Sequence, residues 1–462
     1  MPTLEQAQKF IQKKDFAAAL NCLLTLDKET QSCEEIKAHI AFCHLQLDQP
    51  GKAQIIYRQV LDTNPQHVSA ARNLAICSAK LGKLEIHQYK LMNASSWNTV
   101  GVNLYYHGQF TEARSALEQA IECDTDYINA YFNISDLIEN QHLKQWIDKT
   151  ADIQPPPEQQ GLWWFFLASL HDRAGNYAKA TKLYLKANDY MFEHSSKRWH
   201  ADAAAQLCTN IIQTHDKDFC RNPAPERDPT NTPQVIFIVG MPRCGSTLTS
   251  RIVGNQANTK DLGEVTYLVN TINEVCEKHH TNFPQLLAQP NQDICTEIRE
   301  SYLHKAGNPT ESIVIDKYLE NFLFAGVIPH IFPGAKIIHC QRNKDDVFLS
   351  CFKHYFNGNV VWSNKIEQMH QYHEIYTRYM QHWQNTLPNS TLHTLEYEKL
   401  VTQPEHEQQG LADFLGIAPQ ALTEHTTNQT TEIKTASAMQ ARKPLYQNAI
   451  GSYENYRQYI EL

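Results

Sequence analysis

The sequence predicts a multidomain chain: an all-α repeat array over residues 1–215, a linker over 216–232, and an α/β domain with a parallel sheet over 233–462. Three observations carry that prediction. Small residues recur at a fixed offset through an otherwise helical N-terminal half. A five-residue apolar run, Val235 to Val239, leads directly into a glycine-bearing loop and then a helical pattern. Further short apolar runs alternate with helical segments downstream, the pattern of strands joined by crossovers.

In the N-terminal half, Ala19 of Asp15-Phe16-Ala17-Ala18-Ala19-Leu20 lies 34 positions before Ala53, and a weaker copy follows at Gly82-Lys83-Leu84. Gly108-Gln109-Phe110-Thr111-Glu112-Ala113, followed by Ala120, has the same layout as Gly175-Asn176-Tyr177-Ala178-Lys179-Ala180, followed by Ala187. A small residue at each repeat lets paired helices approach closely, and the aromatic before it fills the groove between them. This 34-residue period resembles the tetratricopeptide family. The resemblance implies a solenoid with a concave surface able to take a peptide or protein; a helical packing domain without a ligand is the alternative. Trp163-Trp164-Phe165-Phe166 fits either a groove lining or core. Pro155-Pro156-Pro157 interrupts the array, and the four prolines of 222–233 read as an extended linker.

Composition narrows the possibilities. A 42% hydrophobic fraction is that of globular protein, and a net charge of −9 argues against a nucleic-acid partner. No run of about 18 apolar residues suggests a membrane span, and Met1-Pro2-Thr3-Leu4-Glu5-Gln6 lacks the basic-then-apolar order of a secretory signal. The 12 cysteines include no Cys-x-x-Cys pair and the 22 histidines form no metal-spaced cluster. Reduced core thiols, a cytoplasmic setting and no metal are therefore expected.

Gly240, Met241, Pro242, Arg243, Cys244, Gly245, Ser246, Thr247 and Leu248 are the most informative stretch. A turn of this kind between a buried strand and a helix aims backbone N–H groups at one point, beside the positive end of the helix dipole, and so makes an anion site. Gly240, Gly245 and Thr247 fit the nucleotide P-loop spacing, but Ser246 stands where its lysine belongs, which removes the β/γ-phosphate clamp of a kinase or ATPase. Arg243, inside the loop, supplies the cation instead. Pro242 to Leu248 resembles the 5′-phosphosulfate loop of sulfotransferases, whose donor is 3′-phosphoadenosine 5′-phosphosulfate.

Two later segments extend the resemblance. Ser312-Ile313-Val314-Ile315 reads as a strand ending at Asp316-Lys317, and Lys336-Ile337-Ile338-His339-Cys340 as another ending at Gln341-Arg342. Ligands of such sheets collect at the strands' carboxyl ends, so Arg243, Lys317 and Arg342 are expected to face one ligand with several phosphates. Arg342 followed eight residues later by Ser350 resembles the 3′-phosphate motif of sulfotransferases; a cap ion pair of Arg342 with Asp345 or Asp346 is the alternative. Asp316-Lys317-Tyr318-Leu319-Glu320-Asn321-Phe322 resembles the Asp-Lys-x-Pro-x-Asn-Phe segment of bacterial sulfotransferases that carry tetratricopeptide repeats, with Leu319 in place of proline. That resemblance assigns Lys317 to the oxygen bridging sulfur and phosphorus.

The same half resembles the tyrosylprotein sulfotransferases more distantly. Leu262-Gly263-Glu264 falls where that family has its catalytic base, which implies the role for Glu264; a structural cap or ion pair is the alternative. Leu395-Glu396-Tyr397-Glu398-Lys399-Leu400 resembles a segment whose tyrosine approaches the 3′-phosphate, and 435–446 resembles the C-terminal loop, which implies Ser437 and Lys443 on donor phosphates. The implied activity is transfer of a sulfuryl group to an acceptor hydroxyl, with a protein tyrosine presented by the repeat region as one acceptor. A P-loop kinase or NTPase, and an inactive repeat scaffold binding peptides, are the competing readings.

Overall fold

The computed structural model describes residues 2–12, 15–29, 33–47, 49–81, 92–221, 232–289, 291–357, 360–418, 422, 447 and 449–462. The chain divides into two compact units, the first formed by Met1–Leu183 and the second beginning at Tyr184.

The first unit is helical. Leu4–Gln12, Phe16–Glu29, Glu34–Gln46, Pro50–Thr63 and Val68–Lys80 follow one another, each packed on the next, and Ala94–Tyr106, Phe110–Cys123 and Ile128–Ile134 continue the series. Local chemistry sets the helix starts. Pro50 occupies the first turn of its helix, where its missing N–H costs nothing. Asn93 caps Ala94–Tyr106 by accepting from the Ser96 amide at 2.9 Å. The small residues at the repeat offset are the close-approach points: Ala19, Ala53, Ala113 and Ala120 are all fully buried. Trp163 and Phe166 close around buried Tyr131, with ring centroids 5.4 and 5.7 Å from it, so they are core rather than groove lining. Gly82-Lys83-Leu84 lies outside the described residues.

The second unit is built on a five-stranded sheet, β1 (Gln234–Gly240), β2 (Thr259–Asp261), β3 (Ile313–Asp316), β4 (Lys336–Gln341) and β5 (Leu392–Glu396), in the order β2-β3-β1-β4-β5. Every neighbouring pair is parallel. Central β1 is buried on both faces, which is why its sequence is a continuous apolar run rather than an alternation. The chain leaves β1 toward β2 and β3 on one side and returns to β4 and β5 on the other, so the order reverses at the carboxyl end of β1, the position where such sheets hold ligands.

The division at Leu183 differs from the boundary expected at residue 215. The helix Ala201–Thr214 packs on Ile366–Thr386 and buries Cys208 and Ile211 there. Arg378 Nη2 donates to Thr209 Oγ1 at 3.0 Å, and Asn188 Nδ2 donates to the carbonyl of Phe352 at 2.8 Å. Within the expected linker, Lys217–Arg221 is a short helix with Phe219 and Cys220 buried; residues 222–231 lie outside the described set.

Candidate functional site

Arg243, Lys317 and Arg342 each follow the carboxyl end of a strand, and those strands, β1, β3 and β4, are neighbours in the sheet. The loop between β1 and the helix Ser246–Gly254 is tightly specified. A Cβ on Gly240 would stand 2.6 Å from the carbonyl oxygen of Cys340, and one on Gly245, at φ +98°, 2.6 Å from the Tyr397 ring. Glycine is required at both positions. Arg243 itself has φ +69°, a conformation that costs a non-glycine residue energy and that concentrates at functional sites. The helix has no side-chain cap: Gly245 fills that position, so the positive end of the helix dipole faces the loop. Ser246 is buried beneath the loop, whereas Thr247 and Leu248 are half-buried.

The two arginines divide their work in a way the sequence did not reveal. Arg243 Nε donates to Ser350 Oγ at 2.8 Å. Arg342, expected beside that hydroxyl, instead donates from Nη1 to the carbonyl of Arg243 at 3.1 Å and from Nη2 to the carbonyl of Ala449 at 2.5 Å. Its guanidinium lies 4.9 Å above the Tyr397 ring and 3.9 Å from Asp346, the partner named in the alternative reading. Asn343 supplies the helix cap, accepting from the amides of Asp345 and Asp346. Arg342 Nε is buried with no hydrogen-bond partner among the described residues, a donor that an anionic ligand would satisfy.

Asp346 is a residue the sequence reading underrated. Buried, it accepts from the amides of Gly451 and Tyr453 at 2.7 and 3.0 Å and from Ser452 Oγ at 3.1 Å, anchoring the C-terminal segment beside Arg342. Its only advance signal was the Arg-x-x-x-Asp spacing. Ser437 and Lys443 lie outside the described residues.

On the other side of β1, Lys317 and Glu264 meet. Lys317 Nζ donates to Glu264 Oε1 at 2.6 Å; the lysine is 2% exposed, while the glutamate side chain is 47% exposed. The ladder between β2 and β3 leads into this pair: Leu262 N donates to Ile315 O and Lys317 N to Gly263 O, each at 2.9 Å. Asp261 fixes the intervening turn, accepting from Ser250 Oγ at 2.6 Å and from the Gly263 amide at 2.8 Å.

Beneath the loop lie three thiols. Cys244, hydrogen-bonded to Cys340, is held below its ordinary pKa, and that same bond together with burial pushes Cys340 well above. Burial pushes Cys351 up to about 12. Cys244 and Arg342 also line a cavity of about 600 Å³ whose other walls include His339, His373, Tyr376 and Gln381. Among the described residues no group of three or more His, Cys, Asp or Glu could hold a metal ion, and no helix is long and apolar enough to cross a membrane.

Comparison with known proteins follows the same line. Residues 233–421 match the model of the Sulfotransferase family; that stretch contains the parallel sheet, and the N-terminal region before it is mostly helical. An uncharacterized protein of Aquifex aeolicus (strain VF5) is 22% identical over 365 residues, covering 76% of this chain and 47% of its own; the chain thus spans about half the length of that relative. Among solved structures, the sulfotransferase domain of the Synechococcus PCC 7002 olefin synthase is 17% identical with a TM-score of 0.30, covering 52% of this chain and 100% of that one. A sulfotransferase domain from the curacin biosynthetic pathway is 17% identical with a TM-score of 0.31, at 50% and 99% coverage. A sulfotransferase of Mycobacterium tuberculosis H37Rv is 11% identical with a TM-score of 0.28, at 70% and 98% coverage.

Proposed function

We propose that the C-terminal domain transfers a sulfuryl group from 3′-phosphoadenosine 5′-phosphosulfate to an acceptor hydroxyl. The observation that carries this reading is the pairing of a lysine-free anion loop on β1 with the Lys317–Glu264 pair on the adjoining strand. The match of residues 233–421 to the Sulfotransferase family supports it.

The donor supplies an activated sulfate on a phosphate leaving group. Around it, the N–H groups of 245–248 and the Arg243 guanidinium hold the 5′-phosphosulfate, and Arg342, Tyr397 and Ser350, with Lys443, serve the 3′-phosphate. Cys244 packs under the loop. Lys317, with Ser437, meets the charge that grows on the bridging oxygen as the S–O bond breaks and its electron pair stays with the phosphate. Moving Lys317 to that oxygen takes it away from Glu264. The freed carboxylate accepts the acceptor's proton as the new O–S bond forms. With little covalent chemistry for the protein to do, alignment dominates, and Arg and Lys take the place that Mg²⁺ holds in kinases.

The acceptor we favour is a protein tyrosine offered by the N-terminal helices acting as a tetratricopeptide solenoid, in a cytoplasmic setting that suits unpaired thiols throughout the chain. The test is thermal stabilisation. Adenosine 3′,5′-bisphosphate should raise the melting temperature in a concentration-dependent way, whereas ADP with Mg²⁺ should not. Stabilisation by ADP and Mg²⁺ alone would instead identify a nucleotide kinase or NTPase.

A further inference from the structure

We propose that Asp316, gripped by Tyr302 and Asn321, is the positioning residue that holds Lys317 in line with Glu264; its catalytic consequence rests on the sulfuryl-transfer reading. Asp316 ends β3 with no exposed surface. Its Oδ2 accepts from Tyr302 Oη at 2.9 Å, and its Oδ1 accepts from the Tyr318 amide at 2.9 Å and from Asn321 Nδ2 at 3.0 Å.

The bond to the Tyr318 amide closes an Asx turn around Lys317, so the carboxylate sets the direction in which the lysine leaves the strand. The Lys317 amide is held on the opposite side by Gly263 O, one residue from Glu264. Tyr302, on the helix Gln292–Lys305, is itself fixed: it is fully buried, edge-on to Phe332 at 4.9 Å. An acid in this position is costly for the fold, because burial pushes its carboxyl up to about 7 despite three hydrogen bonds. What an apolar residue cannot do is bind the 318 amide and Asn321 together and so hold the turn that carries Lys317.

The test reads the lysine directly. The full chain and its Asp316→Asn, Asp316→Ala and Tyr302→Phe variants are treated with limiting acetic anhydride. Acetylation of each lysine is followed by mass spectrometry, alongside kcat, KM and the affinity for adenosine 3′,5′-bisphosphate. Asp316→Ala and Tyr302→Phe should label Lys317 several-fold faster with the other lysines unchanged. They should lower kcat by on the order of 10²-fold, the effect of a ~1 Å misplacement, at unchanged bisphosphate affinity. Asp316→Asn keeps the Oδ1 acceptor and should stay near the parent in both readouts. Parental Lys317 labelling in both Asp316→Ala and Tyr302→Phe overturns the proposal, as does a loss of kcat matched by an equal loss of affinity. If labelling separates as stated but the parent transfers no sulfuryl group, the positioning role stands and the sulfuryl-transfer reading fails.

Discussion

Arg342 donates to the main-chain carbonyl of Arg243 at 3.1 Å, so the cation at the tip of β4 braces the loop on β1 that carries the other. Through its second nitrogen it also ties down Ala449. Arg342→Ala removes the donor from both half-buried carbonyls. Urea unfolding should show a loss of roughly 1–3 kcal/mol, and calorimetry should show weakened binding of adenosine 3′,5′-bisphosphate. Arg342→Lys should recover only part of either, because an ammonium cannot reach two carbonyls and stack on Tyr397 at once.

Gly245→Ala should be destabilising by roughly 1–3 kcal/mol, through a positive φ and a methyl driven into the Tyr397 ring. Adding Tyr397→Ala removes the clash but not the backbone strain. Because Tyr397→Ala also loses the buried ring under Arg342, melting curves of both singles and the double should show the two costs summing to less than additive, with the double still below the parent.

Glu264→Gln removes the proposed base while keeping the side chain's shape. Turnover should fall by ~10²–10⁴-fold, with bisphosphate affinity unchanged in calorimetry. Retention of parental turnover would return Glu264 to the role of a partner for Lys317.

Asp316 also makes a pH prediction. Its carboxyl is raised in the fold from 3.8 to about 7, so the folded state holds its proton more tightly than the unfolded chain. The stabilisation this gives is fully present below about pH 4 and is lost as pH rises through about 7, with a slope of up to ~1.4 kcal/mol per pH unit. Tyr302, Tyr318 and Asp261 are the ionisable groups facing it. Buried His215 and His339, each lowered to about 4, act in the opposite sense, losing stability as pH falls below 6.5. The comparison of parent with Asp316→Asn isolates the carboxylate: the variant's urea midpoint should gain on the parent's between about pH 4 and 7 and level off above that.

The sequence made the centre of the sheet plain because burial on both faces wrote β1, β3 and β4 as apolar runs ending in a charge. Strand β2 was invisible: Thr-Lys-Asp has no apolar pattern, and these residues are a strand because β3 lies alongside, with Thr259 opposite Ile313. Strand β5 passed unread, its last two residues falling at the start of a segment noticed for Tyr397. Positions of Arg243, Lys317 and Arg342 followed from strand ends, but the partner of Ser350 did not. Eight residues separate Arg342 from that hydroxyl, and only the packing of the helix Lys344–Phe352 against the β1 loop decides that Arg243 reaches it. Asp316 was visible as a residue but not as a hub, since Tyr302 comes from a helix 14 positions upstream.

The account is tested most directly by incubating the full chain with 3′-phosphoadenosine 5′-phosphosulfate radiolabelled at sulfur and a fractionated cell extract. It predicts label in an acceptor as a sulfate ester, with one adenosine 3′,5′-bisphosphate released for each ester formed. Release of the label only as inorganic sulfate, or no consumption of the donor in any fraction, would contradict it.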